Sequence, residues 1–329
     1  MEKRQLGQSE LWVNPIGLGC MGFSHAYGRA MDEKEAESII RDAAAMGYDF
    51  FDTAEAYFGT FPDGRATYNE ERVGHALRGI CDKVVIASKC GVHHNPDKSL
   101  RTDSRPEVIR ASLEQSLKRL GTDYIDLYYQ HRIDPRVEPE EVAGVMADLI
   151  KEGKIRYWGI SEANEEYLRR ANKVCPVTAV QNRYSMMARQ HEKLFPVLEE
   201  LKIAFVAFSP MANGFLTGKY TANSKFSAED FRRDMPQYTE EGVKKGQELL
   251  TMLHDLAAEK QATPGQISLA WILCKKPYLF AIPGSRRRER LEENLQAGEV
   301  KLTQAEIAAI DTKLAGMDLL VFTGHPQKK

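Results

Sequence analysis

The amino-acid sequence predicts an α/β fold: a closed (β/α)8 TIM barrel with an N-terminal β-hairpin and extra C-terminal helices. Three observations predict it. Eight short apolar runs alternate with longer amphipathic stretches along the chain. Runs of this length suit parallel strands buried on both faces. Strand–helix alternation with right-handed crossovers builds a parallel sheet, and eight units favour closure over an open doubly wound sheet. No linker, low-complexity tract or short repeat interrupts the pattern, so 1–329 reads as one barrel domain.

In chain order, 3–6 and 11–14 flank Gly7-Gln8-Ser9-Glu10 and read as a hairpin before the barrel. The apolar runs follow at 14–20, 48–53, 84–88, 124–130, 156–160, 179–182, 204–209 and 279–283. The first helix, 33–46, places Ala36, Ile39, Ile40, Ala43 and Ala44 on one stripe. The helix at 106–120 opens on Pro106 and stops at Gly121, which is sound start and stop chemistry. The helix at 138–151 ends at Gly153 in the same way. Further helices read at 69–78, 164–172, 192–202, 240–259 and 287–296, and two more, at 264–274 and 303–314, lie outside the eight units.

Composition narrows the class. The 329 residues carry 45 Lys plus Arg against 47 Asp plus Glu, a formal charge of -2. A nucleic-acid binder needs a basic surface, so that class is excluded. No apolar run approaches the roughly 18 to 20 residues of a membrane span. The N-terminal residues lead into no apolar signal segment. Five scattered cysteines, Cys20, Cys81, Cys90, Cys175 and Cys274, form no C-x-x-C pair. Neither a metal site nor a disulfide framework is expected, and the cytoplasm is the natural compartment.

Gly17-Leu18-Gly19-Cys20-Met21-Gly22 matches the G-x-G-x-x-G dinucleotide fingerprint, with Asp52 as its ribose acid. That motif needs a helix starting within it. Here 23–30 is rich in Gly, Ser and Tyr, and helical periodicity starts only near Glu33. The fingerprint is set aside.

In such barrels catalytic groups sit where strands end. The second run ends in Asp52, the third in Lys89 and the fourth in His131, with Tyr57 close behind Asp52. A phenol is a poor acid near neutral pH. A nearby ammonium favours its phenolate, and Asp52 would hold Lys89 charged and in place. Tyr57 is therefore expected to have a lowered pKa and to protonate a developing alkoxide, while neutral His131 orients the carbonyl. The set suits carbonyl reduction if a cofactor delivers hydride. Taken singly, these residues read as a cap, a rim cation, a core histidine and a packing aromatic; four complementary groups at neighbouring strand ends do not.

The second half reads as the cofactor site. Phe208 offers a face for a planar ring, and Ser161 and Gln181 offer hydrogen bonds to a carboxamide. Gly214-Phe215-Leu216-Thr217-Gly218-Lys219 reads as a phosphate-holding loop. Arg286–Arg290 follows the last run at a helix start, where phosphate is favoured. The competing readings of that stretch are a solvated basic helix start and a nuclear localisation patch.

These motifs together resemble the aldo-keto reductase superfamily. The resemblance is carried by Phe51-Asp52-Thr53-Ala54-Glu55-Ala56-Tyr57, Asn69-Glu70-Glu71-Arg72-Val73-Gly74, Ala87-Ser88-Lys89, Lys118-Arg119-Leu120-Gly121-Thr122-Asp123 and Tyr129-Gln130-His131. It continues in Trp158-Gly159-Ile160-Ser161, Phe208-Ser209-Pro210, Ile282-Pro283-Gly284-Ser285 and Arg290-Leu291-Glu292-Glu293-Asn294. It implies an NADP(H)-dependent oxidoreductase acting on a small-molecule aldehyde or ketone. By matching position, Tyr57 is the proton donor, Asp52 and Lys89 tune it, and His131 orients substrate. Ser161, Gln181, Phe208, Ser209, Pro210, Gly214, Lys219, Gly284, Ser285, Arg286, Arg290, Glu293 and Asn294 match cofactor positions. The subgroup most similar in pattern includes pyridoxal and perakine reductases. Two departures stand out: Glu162 follows Ser161 where many relatives carry Asn, and Gly284 stands where the best-known members carry Lys. The 58–68 segment looks long, and Phe58, Phe61 and Tyr68 either shape the pocket or form an exposed tip. Tyr27, Phe58 and Trp158 are the aromatics nearest the expected mouth, with packing as the alternative for Trp158.

Competing functions are weaker. A regulatory role like that of the barrel subunits attached to potassium channels does not need the full set Asp52, Tyr57, Lys89 and His131. A short-chain dehydrogenase needs Y-x-x-x-K, which is absent. A glycosidase needs two facing carboxylates, and Glu162 has no strand-end partner beyond Asp52. Cys90, next to Lys89, reads as a buried, inert thiol, with a redox-sensitive thiol as the alternative.

Overall fold

The computed structural model describes residues 2–61, 63–95 and 99–322. Among them, one parallel sheet runs in chain order through eight strands. These are β1 (Leu18–Gly19), β2 (Phe50–Asp52), β3 (Val85–Cys90), β4 (Ile125–Gln130), β5 (Ile155–Ser161), β6 (Ala179–Arg183), β7 (Ala204–Phe208) and β8 (Leu279–Ala281). The sheet closes on itself. Ile16 bridges Ala281 in parallel, Gly17 N donates to Ala281 O at 2.9 Å, and Ala281 N donates to Pro15 O at 2.9 Å. A helix follows each strand, so the predicted (β/α)8 barrel is the observed fold.

Closure accounts for the misleading glycines. A Cβ on Gly17 would lie 2.7 Å from the Phe50 ring, and one on Gly19 would lie 2.7 Å from Ile282 O. Both residues let β1 approach its neighbours on either side. Only the 3-10 turn Met21–Phe23 follows, and the helix Glu33–Met46 waits for its cap, Asp32. Asp32 Oδ1 accepts from the backbone N–H groups of Lys34 and Glu35, two donors otherwise left unpaired.

Two apolar layers hold the barrel. Inside it, Phe50, Val85, Leu127, Tyr129, Val206 and Phe280 pack together. The N-terminal hairpin, Arg4–Gln5 paired with Trp12–Val13, adds Leu6, Leu11 and Val13 to that inner layer. It seats where strands begin, since a Cβ on Gly7 would touch Thr178 O and Lys202 O just ahead of β6 and β7. The outer layer lies between sheet and helices and contains Trp158 and Trp271, both fully buried. Trp158 therefore packs and does not reach the mouth.

Three local expectations change. The helix expected at 192–202 is a 3-10 turn, Gln190–Leu194, joined to the helix Phe195–Leu201. Pro196 at the helix start removes the N–H a longer helix would need. The 58–68 segment forms an antiparallel hairpin, Phe58–Thr60 with Ala66–Tyr68. A second hairpin, Val92–His94 with Leu100–Thr102, follows β3. Strands of three residues are too short to show alternation in sequence. The helices Pro264–Lys275 and Gln304–Ala315 stand outside the eight units as expected, each opened by a capping box. Among the described residues no helix is long and apolar enough to cross a membrane.

Candidate active site

Strand register brings the predicted catalytic groups together. Asp52 pairs with Ala87 and Lys89 with Tyr129, so Asp52, Lys89 and His131 emerge at the ends of β2, β3 and β4. Tyr57 comes from the loop after β2. That loop is turned by Tyr57 N donating to Ala54 O at 3.1 Å and pinned by Asn69 N donating to Tyr57 O at 2.9 Å.

Lys89 is fully buried and all three ammonium donors are used. Its Nζ donates to Asp52 Oδ1 at 2.5 Å, to Thr53 O at 2.7 Å and to Tyr57 Oη at 3.2 Å. Burial opposes the charge, but Asp52 and Tyr57 outweigh it and hold the ammonium proton more tightly than in a free lysine. The second Asp52 oxygen accepts from Gln181 Nε2 at 2.7 Å. Gln181, expected only as a carboxamide ligand, is thus also a brace for the carboxylate.

One expectation reverses. Burial is the largest influence on Tyr57 and carries its phenol above the ordinary value; the cations Lys89 and Arg132 offset only part of this. Tyr57 is therefore a protonated phenol throughout the neutral range. His131 stands edge-on to the Tyr57 ring, with centroids 5.6 Å apart. Burial, with Arg132 and Lys89 adding positive charge, holds its imidazole well below the ordinary histidine value. It is neutral at pH 7, as expected. Its Nδ1 is buried without a partner. Cys90 is fully buried, and burial pushes its thiol up, in keeping with an inert role.

A cavity of about 1800 Å³ opens at the strand ends and is lined by Asp52, Tyr57 and His131, with Lys89 behind them. All thirteen residues predicted for the cofactor line the same cavity. The run after β7 carries positive φ at Ser209, Asn213 and Gly214, turning backbone and Lys219 toward the cavity. After β8, Ser285 Oγ accepts from Arg287 N at 3.0 Å. Arg290 is ion-paired to Glu293, whose other oxygen accepts from Thr263 Oγ1 at 2.7 Å. Arg286 Nη2 and Asn294 Nδ2 are buried without partners. Such orphaned donors, beside Lys219 and Arg290, fit the phosphates and adenosine of a dinucleotide. Gly284 has a structural reason: a Cβ there would lie 2.6 Å from Gly19 O, inside the barrel seam.

Of the pocket aromatics, Tyr27 and Phe58 line the cavity, whereas Phe61 and Tyr68 do not. Sequence reasoning missed His25 and His94, which stand 5.5 Å apart at the mouth on loops after β1 and β3. It also passed over Arg132 and Arg183 in the cavity wall, although Arg132 adjoins His131 and Arg183 lies two residues after Gln181, both of which it did select. Glu162 adopts φ 59, with its Oε1 accepting from Arg183 N at 3.0 Å.

Glu55 sits beneath the site, its Oε1 accepting from Gly91 N at 2.8 Å, and burial pushes its carboxyl up to about 7. A carboxyl raised on folding contributes stability that is fully present below its unfolded value of 4.5 and lost as pH rises through 7. Glu55→Gln should remove a pH-dependent loss of up to about 3 kcal/mol between pH 5 and 8. Urea unfolding of both proteins at the two pH values measures it; parallel pH dependence would mean Glu55 is not the group responsible.

The aldo/keto reductase family model matches residues 15–315. The chain is 36% identical over 308 residues to "Probable aldo-keto reductase 1" of Glycine max, covering 93% of this chain and 87% of the relative. It is 37% identical over 306 residues to "Aldo-keto reductase yakc [NADP(+)]" of Schizosaccharomyces pombe, covering 91% and 87%. The holo form of the aldo-keto reductase AKR11C1 from Bacillus halodurans superposes with a TM-score of 0.77 at 26% identity, covering 99% of both chains. The glycerol dehydrogenase AKR11B4 from Gluconobacter oxydans shares the fold, with a TM-score of 0.86 at 24% identity over 99% of both chains. The barrel, the strand-end cluster and these matches agree: the chain belongs to the aldo/keto reductase family, whose members are nicotinamide-dependent oxidoreductases acting on carbonyls.

Proposed function

We propose that this protein reduces an aldehyde or ketone to an alcohol with NADPH, using Tyr57 as the proton donor. The observation that carries the reading is the shared Lys89 ammonium, 2.5 Å from Asp52 and 3.2 Å from Tyr57 at the cavity floor. A bound nicotinamide dinucleotide supplies the hydride. As negative charge develops on the carbonyl oxygen, Tyr57 Oη gives up its proton to it. Lys89 stabilises the phenolate left behind, and Asp52 keeps Lys89 charged and aimed. Gln181 holds the far Asp52 oxygen, so the carboxylate cannot swing away. Neutral His131 directs the carbonyl oxygen toward Tyr57 as a hydrogen-bond donor without competing for its proton. Phe208 offers a stacking face, and Lys219, Arg286 and Arg290 supply cations for the phosphates.

The test follows absorbance at 340 nm with NADPH or NADH across a panel of aldehydes and ketones, pyridoxal among them. Consumption of NADPH dependent on a carbonyl supports the reading; tight NADPH binding without turnover of any carbonyl opposes it. Preference for NADPH has its own test. Arg290→Ala should weaken NADPH about 10- to 100-fold more than NADH, through loss of a charge-assisted contact to the 2′-phosphate. Fluorescence titration with each cofactor measures this, and equal weakening of both would remove Arg290 from that role.

A further inference from the structure

Two arginines in the cavity wall have no place in the mechanism above. Arg183 ends β6 and is only 7% exposed. Its Nε is buried without a partner, and its Nη1 reaches only Asn213 Oδ1, at 3.4 Å. Arg132 follows His131 directly, and its Nη1 donates to His131 O at 2.6 Å and Ser161 Oγ at 3.0 Å. Both guanidinium groups lie over the Phe208 ring, at 4.9 Å for Arg183 and 5.8 Å for Arg132.

Neither is paired with a carboxylate among the described residues, whereas Arg119 pairs with Glu70 and Arg232 with Asp230. The carboxylate whose charge acts on Arg183, Glu162, makes no ion pair with its guanidinium and is turned to the Arg183 backbone N–H and to His191, whose Nε2 is 3.8 Å away. A buried cation and an unmade N–H bond are both costly, so the arrangement makes sense if a ligand completes it. Two cations held close together without an ion-paired carboxylate repel, and an anion between them relieves that repulsion. Lys219, Arg286 and Arg290 come from the segments after β7 and β8. Arg132 follows β4 directly after His131, and Arg183 is the last residue of β6.

We propose that Arg132 and Arg183 form an anion subsite that receives a carboxylate or phosphate carried by the carbonyl substrate. The natural substrate class is then an anionic aldehyde or ketone. This rests on the carbonyl-reductase reading and narrows it. Guanidinium groups match carboxylate and phosphate in a two-pronged geometry that a neutral group cannot use.

The test compares 4-oxobutanoate with butanal, which has the same chain length without the charge. In the native protein kcat/KM should favour 4-oxobutanoate by about 10-fold or more. Arg183→Met should lower that ratio about 10- to 100-fold, with Arg183→Lys recovering part of it. Arg132→Met and Arg183→Lys carry the same comparison if Arg183→Met does not fold. Calorimetric titration of succinate into protein loaded with NADP+ gives a readout without turnover: binding is expected in the native protein and is lost in both Met variants. Equal kcat/KM for the two aldehydes in the native protein would overturn the proposal. So would a ratio unmoved by the substitutions while NADPH affinity falls, which would assign the anion to the cofactor's own phosphates. Succinate binding that depends on Arg183, with no carbonyl reduced, would uphold the subsite and defeat the reductase reading instead.

Discussion

Tyr57→Phe should lower kcat by about 10²- to 10⁴-fold, the range expected when a positioned general acid is removed. The substitution takes away one oxygen and leaves the ring, which lies 4.8 Å from Lys89 Nζ and edge-on to His131. Lys89 keeps its bonds to Asp52 and Thr53, so the floor of the site stays closed. NADPH affinity, read by fluorescence quenching, should therefore change less than about threefold, since no charge-assisted contact to the cofactor is lost. Turnover within tenfold of the native rate would show that the proton comes from elsewhere. Water or His131 would then be the candidates, and neutral His131 is poorly placed to replace a phenol held beside an ammonium.

Lys89→Met should abolish more than activity. It strips Asp52, which is 2% exposed, of its counter-ion and leaves Gln181 as its remaining side-chain partner. Breaking a buried ion pair from one side costs about 3–5 kcal/mol, because the surviving charge stays desolvated. Burial already raises the Asp52 carboxyl in the native protein, with Lys89 offsetting part of this; without Lys89 it would be raised further, so the variant should lose more stability than the native protein as pH rises from 4 to 7. Without the ammonium the Tyr57 phenolate has no partner, and kcat should fall at least as far as in Tyr57→Phe. Adding Asp52→Asn should restore much of the stability by removing the orphaned charge while activity stays lost. Urea midpoints beside rates at 340 nm separate the two effects. A single variant of native stability would mean that the pair is not the buried ion pair its geometry implies.

Much of this was legible in the sequence, and the parts that were not have a common cause. Periodic burial made the eight units visible, because helices and strands repeat their buried positions within a few residues. The strand-end rule then singled out Asp52, Lys89 and His131 without any knowledge of neighbours. The same rule, pushed one residue further, reaches Arg132 and Arg183. The hairpins at 58–68 and 92–102 escaped because their strands are three residues long. Gly284 looked like a missing phosphate ligand, but the seam of the closed barrel leaves no space for its Cβ.

The amino-acid sequence by itself determined the barrel, the order of its units and the residue types delivered to its mouth. Those features depend on local periodicity and on the topological rule that strand ends converge. Only the tertiary structure decided the charge states and partnerships there. Gln181 braces Asp52 across 129 positions of chain. The Tyr57 phenol is raised because burial outweighs Lys89. Arg183 lacks an ion-paired carboxylate because Glu162, brought near it from 21 positions away, turns to the Arg183 backbone N–H and to His191. Desolvation and pairing depend on every element that encloses a group, and no window of neighbouring residues contains them.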